Sequence, residues 1–273
     1  MGASASTTNG RPLAAEVDQL TWYHTIELPG GIVTPGEYDT RRAAAKIPFP
    51  ASLKGKRCLD VGTHDGFWAF EMERRGAAEV IAIDLDDPRR IDFSEPVPTL
   101  SEDALANRLS RPLAFACAHD ALRSEVQRRD LSVYDLPTVF EREFDFAFIG
   151  TLLLHLREPV RALTAIRKVL APGGRLLSND HVSLKLSLLH PRAPVHSLSL
   201  LPGKPFWWEP NARGLRRYVE KAGFQDVTGG GPYFLPRGPG YARDPLPRTL
   251  TNFAWRYIHE HGMVHAWASG LAP

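Results

Sequence analysis

Eight residues, LDVGTHDG (Leu59–Gly66), limit what this chain can fold into more than any other stretch. The run that leads into them, Lys56–Gly62, is short, apolar and closed by a glycine, the pattern of a strand buried on both faces. The residues that follow, DGFWAFEMERRG, set Phe67, Phe70 and Met72 at near-helical spacing and stop at Gly76. A strand delivered into a helix through two glycines makes a turn whose backbone can come close to a ligand. Gly62 permits the tight turn and Gly66 permits close packing at the helix start. Two turns of this general kind are excluded. A P-loop needs Gly-Lys-Ser/Thr, and a dinucleotide fingerprint carries its acid only after the next strand, whereas Asp60 lies inside this motif.

The rhythm continues downstream. Strands are expected at Glu79–Asp84, near Leu131–Tyr134, at Phe144–Gly150 and at Arg175–Asp180, with helices at Pro112–Arg123 and in PVRALTAIRKVL ahead of a Pro-Gly-Gly turn. Strands alternating with helices imply an α/β fold, a mostly parallel sheet covered on both faces, with its ligand crevice beyond the carboxyl ends of the strands. Residues 182–210, rich in proline and histidine and ending near Phe206-Trp207-Trp208, break the rhythm and read as a small inserted cap. A helix at Asn211–Phe224, strands near Gln225–Thr228 and Pro232–Leu235, and a helix at about Leu246–Glu260 complete the chain. Ahead of the core, the first ten residues are small and polar and read as disordered, and Leu20–Arg42 reads as an ordered lid. The expected divisions are residues 1–50 for tail and lid, 51–235 for the core and 236–273 for a C-terminal extension.

Composition narrows the classes. Thirty-three Lys and Arg against 31 Asp and Glu leave a net charge of +2, too balanced to announce a nucleic-acid binder. No apolar run reaches the roughly 18 residues of a membrane span, and two cysteines make no disulfide framework, so a cytoplasmic protein is expected. His259, His261 and His265 fit no standard zinc spacing, and no metal is expected.

Asp84 ends the second strand 18 residues after Gly66, where a carboxylate can accept both hydroxyls of a ribose. With the motifs LDVG-x-x-x-G, IAIDLD, SVYDLP and FDFAFIGTLLLHLREP in this order, the chain resembles a class I S-adenosylmethionine (SAM) methyltransferase over roughly Trp22–Leu235. Within that class it is most similar to the family of tRNA wobble-uridine (carboxymethoxyuridine-type) methyltransferases, through WYHTIELPGGIVTPGEYDTR ahead of the core and LLLHLREP after the fourth strand. The resemblance implies a seven-stranded, mostly parallel Rossmann-like sheet with SAM as cofactor. It implies that Asp60, Gly62, Thr63, His64 and Gly66 form the SAM loop and that Asp84 binds the ribose. Leu85, Val133 and Tyr134 would meet the adenine, and Ile149 and Gly150 would line the crevice under the methionine part. Arg41 would pair with the cofactor carboxylate once the front segment folds over. Two positions depart from the family: His64 replaces a glycine, and Leu154 stands where the tRNA enzyme has a tyrosine that helps to hold a carboxylated cofactor.

Methyl transfer from a sulfonium is an in-line displacement, to which alignment and water exclusion contribute most. Where the acceptor carries a proton, a general base helps, and His155, His181 and His24 are the candidates. His155 follows the fourth strand, His181 ends the fifth beside Asp180, and His24 would arrive with the lid. Phe206-Trp207-Trp208 reads as the wall of an apolar acceptor pocket or as an anchor for the cap. Arg213, Arg216 and Arg217 on one helix read as a phosphate-binding stripe or a solvated face. The expected function is methyl transfer to oxygen or nitrogen of a small-molecule acceptor. A tRNA wobble-uridine methyl- or carboxymethyltransferase and a non-catalytic SAM-binding module are the alternatives.

Overall fold

The strand expected at Lys56–Gly62 forms as Arg57–Val61 (β1), and the alternation of its side chains explains the two-sided core around it. Cys58 faces one layer with Trp68, Phe70 and Met72 of the helix Phe67–Arg74 (α1), whereas Leu59 and Val61 face the other. A computed structural model of the chain describes residues 7–8, 11–93, 101–198, 206–241 and 261–273. Six further strands join β1: Glu79–Asp84 (β2), Gln127–Asp130 (β3), Phe144–Gly150 (β4), Leu170–His181 (β5), Gln225–Leu235 (β6) and Met263–Leu271 (β7). They make one seven-stranded sheet in the order β6-β7-β5-β4-β1-β2-β3. β1 pairs in parallel with β2 and β4, β2 with β3 and β4 with β5, while β7 runs antiparallel to both β5 and β6.

Helices cover both faces. On one, α1 and the helix Arg111–Leu122 (α2) bury Trp68, Phe70 and Phe115 against Phe146 and Phe148 of β4. On the other, the helices Pro159–Val169 (α3) and Ala212–Lys221 (α4) bury Leu163, Ile166, Leu215 and Val219 against Leu59, Ile81 and Ile149. Each such side chain contributes about 2 kcal/mol on leaving water. The strand order reverses between β1 and β4, which places the ligand crevice at the carboxyl ends of those two strands.

Four boundaries differ from the sequence reading. The third strand is Gln127–Asp130, not Leu131–Tyr134: it is a polar edge strand with no apolar run to announce it, and Val133–Asp135 is instead a short 3-10 turn. The two strands expected at Gln225–Thr228 and Pro232–Leu235 are one strand, its register shifted at Gln225/Thr228 and at Gly230/Tyr233. Within the segment 236–273, expected as an extension, Met263–Leu271 is β7 and lies inside the sheet between β5 and β6. The lid at Leu20–Arg42 is built into the core, since Trp22, Ile26 and Leu28 are buried in the same layer as α1. The helix expected at Leu246–Glu260 lies outside the described residues. Of the ten leading residues, Thr7 and Thr8 pair with Arg11–Pro12.

The cap comprises the short helix Leu184–Leu189 and the paired strands His196–Leu198 and Trp208–Pro210. Two indoles fasten it to the core: Trp207 Nε1 donates to the Asp92 carbonyl at 2.6 Å and Trp208 Nε1 to the Arg157 carbonyl at 3.0 Å. Among the described residues, no helix is long and apolar enough to cross a membrane.

Candidate active site

A cavity of about 380 Å³ opens at the strand-order reversal. Val61 and Gly62 wall it from the end of β1, Ile83, Asp84 and Leu85 from the end of β2, and Val133 and Tyr134 from the turn after β3. Leu152, His155 and Leu156 close it from the turn after β4, and Phe206 of the cap lies over His155, ring centroids 5.0 Å apart.

The turn after β1 owes its shape to backbone conformations that the sequence foretells. Gly62 has φ 77° and Gly66 φ 94°. A Cβ on Gly62 would meet Leu152 at 2.9 Å, and one on Gly66 would meet the Phe70 ring at 2.4 Å, so both positions are closed to side chains. His64 takes the left-handed conformation as well, φ 52°, and its N–H donates to Asp84 Oδ2 at 2.7 Å. Asp84 Oδ1 accepts the Leu85 N–H at 2.7 Å. Each carboxylate oxygen has a second lone pair left for a ligand hydroxyl. Asp60 is buried under the turn, with Oδ2 lacking a partner, and burial pushes its pKa up to about 7.

Asp65, not singled out from the sequence, joins the front segment to this turn. Its carboxylate accepts the Tyr23 and His24 amides at 2.8 Å each and pairs with His24 Nδ1. Burial opposes its charge, yet His24 and the amides hold its pKa below the ordinary carboxylate value. A polar residue between a histidine and a glycine gives little sequence signal; only the fold brings Trp22–His24 opposite it.

The turn after β4 is held from elsewhere. Asp180, at the end of β5, accepts the Leu152, Leu153 and His181 amides at 2.9, 2.7 and 2.8 Å. Burial raises its pKa to about 6. It therefore orients the β4 turn and not the His181 ring, whose Nδ1 meets the Val264 carbonyl at 2.9 Å and whose Nε2 meets Glu209 at 3.2 Å.

The structure thus gathers Gly62, Asp84, Leu85, Val133, Tyr134 and His155 around one cavity. Asp60, Thr63 and His64 lie behind the turn that forms its floor, and none of them is among the cavity walls. Ile149 is a core residue of the α3 face, and Gly150 is pressed against the Phe148 ring, so Leu152 takes the wall expected of them. His24 and His181 lie outside the cavity. Arg41 is paired with Asp39 and Glu27 and lines a separate pocket beside α1, away from any group at the crevice. Arg90, Asp92 and Arg111 also line the cavity and were not foreseen. Arg111 opens α2, beyond a stretch of sequence with no motif. His265 bonds to Thr151 and Met263, and His261 packs 6.1 Å from Phe234; among the described residues no metal-binding cluster forms. His259 lies outside the described residues.

Residues 36–228 match a family model described as a methyltransferase domain. The tRNA U34 carboxymethyltransferases of Pseudomonas fluorescens strains SBW25 and Pf0-1 are 29% and 30% identical over 177 residues, 64% of this chain and 47% of each relative. That of Azotobacter vinelandii is 28% identical and covers 72% of this chain and 54% of its own length. The chain spans about half the length of these curated relatives. Among solved structures, Haemonchus contortus phosphoethanolamine N-methyltransferase 2 in complex with S-adenosyl-L-methionine superposes with a TM-score of 0.50 at 17% identity, covering 89% of this chain and 54% of that one. The Haloferax volcanii methyltransferase complexed with the Trm112 methyltransferase activator gives 0.50 at 13% identity, covering 86% and 88%. At these identities the likeness is one of fold.

Proposed function

We propose that this chain, which belongs to the methyltransferase-domain family and is a SAM-dependent methyltransferase, transfers the methyl group to oxygen or nitrogen of a small-molecule acceptor. The observation that carries this reading is the cavity at the strand-order reversal, with a ribose-type carboxylate, Asp84, at one end and an apolar wall of the cap, Phe206, at the other. SAM, when bound, supplies an electrophilic methyl on a sulfonium. Asp84 would accept the ribose hydroxyls, and Leu85 and Val133 would flank the adenine. Leu152 and His155, which line the cavity from the turn after β4, would border the methyl of the bound cofactor. Phe206 excludes water there, and alignment of nucleophile and methyl contributes most of the rate. His155 is the candidate base for an acceptor that carries a proton, being the one of the three proposed histidines that faces this cavity.

A second reading, carboxymethyl or methyl transfer to a tRNA wobble uridine, is favoured by the names of the curated relatives. Two positions in this chain weigh against a carboxylated cofactor. Leu154 is buried, its carbonyl accepting the Trp207 N–H at 2.8 Å, and Arg41 is engaged by two carboxylates. The arginines of α4 likewise meet an acid, since Arg216 and Arg217 share Glu220. Calorimetric titration with SAM and with its carboxylated derivative separates the readings. Tighter binding of SAM is expected; preference for the carboxylated form would restore the tRNA reading, and binding of neither would overturn both.

A further inference from the structure

Two carboxylates line the cavity, Asp84 at the end of β2 and Asp92 beyond the short 3-10 turn Pro88–Arg90. Contacts from three other segments fix Asp92 in place. Its Oδ2 accepts the Tyr134 hydroxyl and the Arg157 amide, both at 3.0 Å. Its backbone carbonyl accepts the Trp207 indole of the cap at 2.6 Å. The phenol that donates to it is itself aimed, because Tyr134 Oη accepts the Glu158 amide at 3.3 Å. The one phenolic hydrogen is thus left for Asp92, and burial raises the Tyr134 pKa so that it stays in place.

Both side-chain bonds fall on the same oxygen. Among the described residues, Oδ1 of Asp92 has no protein partner, yet the carboxylate that carries it cannot turn without breaking two bonds. A half-buried carboxylate held in a cavity wall with one oxygen open is an acceptor for a hydrogen of the ligand. The neighbouring Arg90 does not take that oxygen, since its guanidinium bonds to Asp130 at 2.8 and 2.9 Å.

We infer that Asp92 is a specificity-determining residue whose Oδ1 accepts the exocyclic amine of the cofactor's adenine. This assignment rests on the reading of the crevice as the SAM site. The nucleoside part of SAM offers hydrogen-bond hydrogens in two places, the ribose hydroxyls and the base amine, and the cavity offers two carboxylates. With the ribose at Asp84 and the ring between Leu85 and Val133, the amine is the donor that remains. Tyr134, the residue next to Val133, is the one whose hydroxyl holds Asp92. A base with a carbonyl in place of the amine turns an acceptor towards a carboxylate and is rejected.

The test compares S-adenosylhomocysteine with S-inosylhomocysteine, in which a carbonyl replaces the adenine amine, by calorimetry on the full chain. The unaltered chain should bind the adenosyl form at least about tenfold more tightly. Asp92→Asn is the sharp variant. Its amide oxygen can take over both bonds of Oδ2, while its amide nitrogen puts a donor where Oδ1 stood. The preference should fall to parity or invert, with the thermal unfolding midpoint nearly unchanged. Tyr134→Phe removes one of the two bonds that fix the carboxylate and should narrow the ratio by less. Equal binding of the two ligands by the unaltered chain would overturn the assignment and leave the cofactor reading standing. So would equal losses for both ligands in Asp92→Asn, which would make Asp92 a structural residue only, or a ratio unmoved in Tyr134→Phe should Asp92→Asn not fold. Binding of neither ligand by the unaltered chain would overturn the cofactor reading and this assignment with it.

Discussion

The two lips of the crevice are built in opposite ways. The turn after β1 is local: within Gly62–Gly66 the glycines set the backbone, and Asp84, one strand away, accepts the His64 amide. The turn after β4 is assembled from a distance, by Asp180 from β5, His265 from β7 and the Trp207 amide of the cap on the Leu154 carbonyl. One lip is a motif, the other a meeting place. A motif can be recognised in eight letters, whereas a meeting place leaves only isolated residues whose partners the fold chooses.

Gly66→Ala probes the local lip most severely. The new Cβ meets two aromatic rings within 2.8 Å at a φ of +94°, and a loss of about 3 kcal/mol of stability is expected, read as a drop in the thermal unfolding midpoint. An unchanged midpoint would mean the turn relaxes freely and is not the rigid half. Asp180→Ala is the matching blow to the other lip. Three amides lose their acceptor at once, and about 2–3 kcal/mol should go in chemical denaturation, with most of it restored in Asp180→Asn. Should Asp180→Ala leave stability intact, the distant lip is not held as described.

Asp84→Ala is expected to act on the ligand as well as on the turn, since the His64 and Leu85 amides lose their acceptor with it. Loss of a charged ribose contact, about 1.5–3 kcal/mol, should weaken SAM more than tenfold in calorimetry. The smallest effect concerns Asp60 and pH. Its folded pKa is raised to about 7, so it favours folding while protonated, and that contribution is lost as pH rises from the unfolded carboxylate range through 7. Asp60→Asn should therefore flatten the fall in stability between about pH 5 and 7, read in chemical denaturation. A slope that survives in Asp60→Asn would place the titrating group elsewhere.

How much of this was legible follows the same division. β1, β2 and β4 read clearly because each is a short apolar run buried on both faces, and the residues that end β1 and β2 supplied Gly62, Asp84 and Leu85. β3 was displaced by a few residues because QRRD carries no apolar signal; as an edge strand exposed to water it needs none. β7 was not read as a strand because the residues MVHAWASGL buries, Val264, His265, Ala266, Ala268, Ser269 and Gly270, are mostly small or polar and show no alternation. Arg41 was misjudged for a different reason. A guanidinium near a crevice in sequence finds whichever carboxylate the fold offers first, and here Asp39 and Glu27 pair with it.

The place of β7 has a consequence for how the chain comes to work while it is being made. A ribosome releases β5 and β6 before β7, yet neither pairs with the other; the strand that joins them is the last of the seven to emerge. Until it slots in, β6 has no neighbour in the sheet, and Thr151 lacks the imidazole that fixes its hydroxyl. The parallel half of the sheet can condense earlier, since each of its strands finds its partner among those already released. A nascent chain would therefore complete the turn after β1 before it completes the turn after β4.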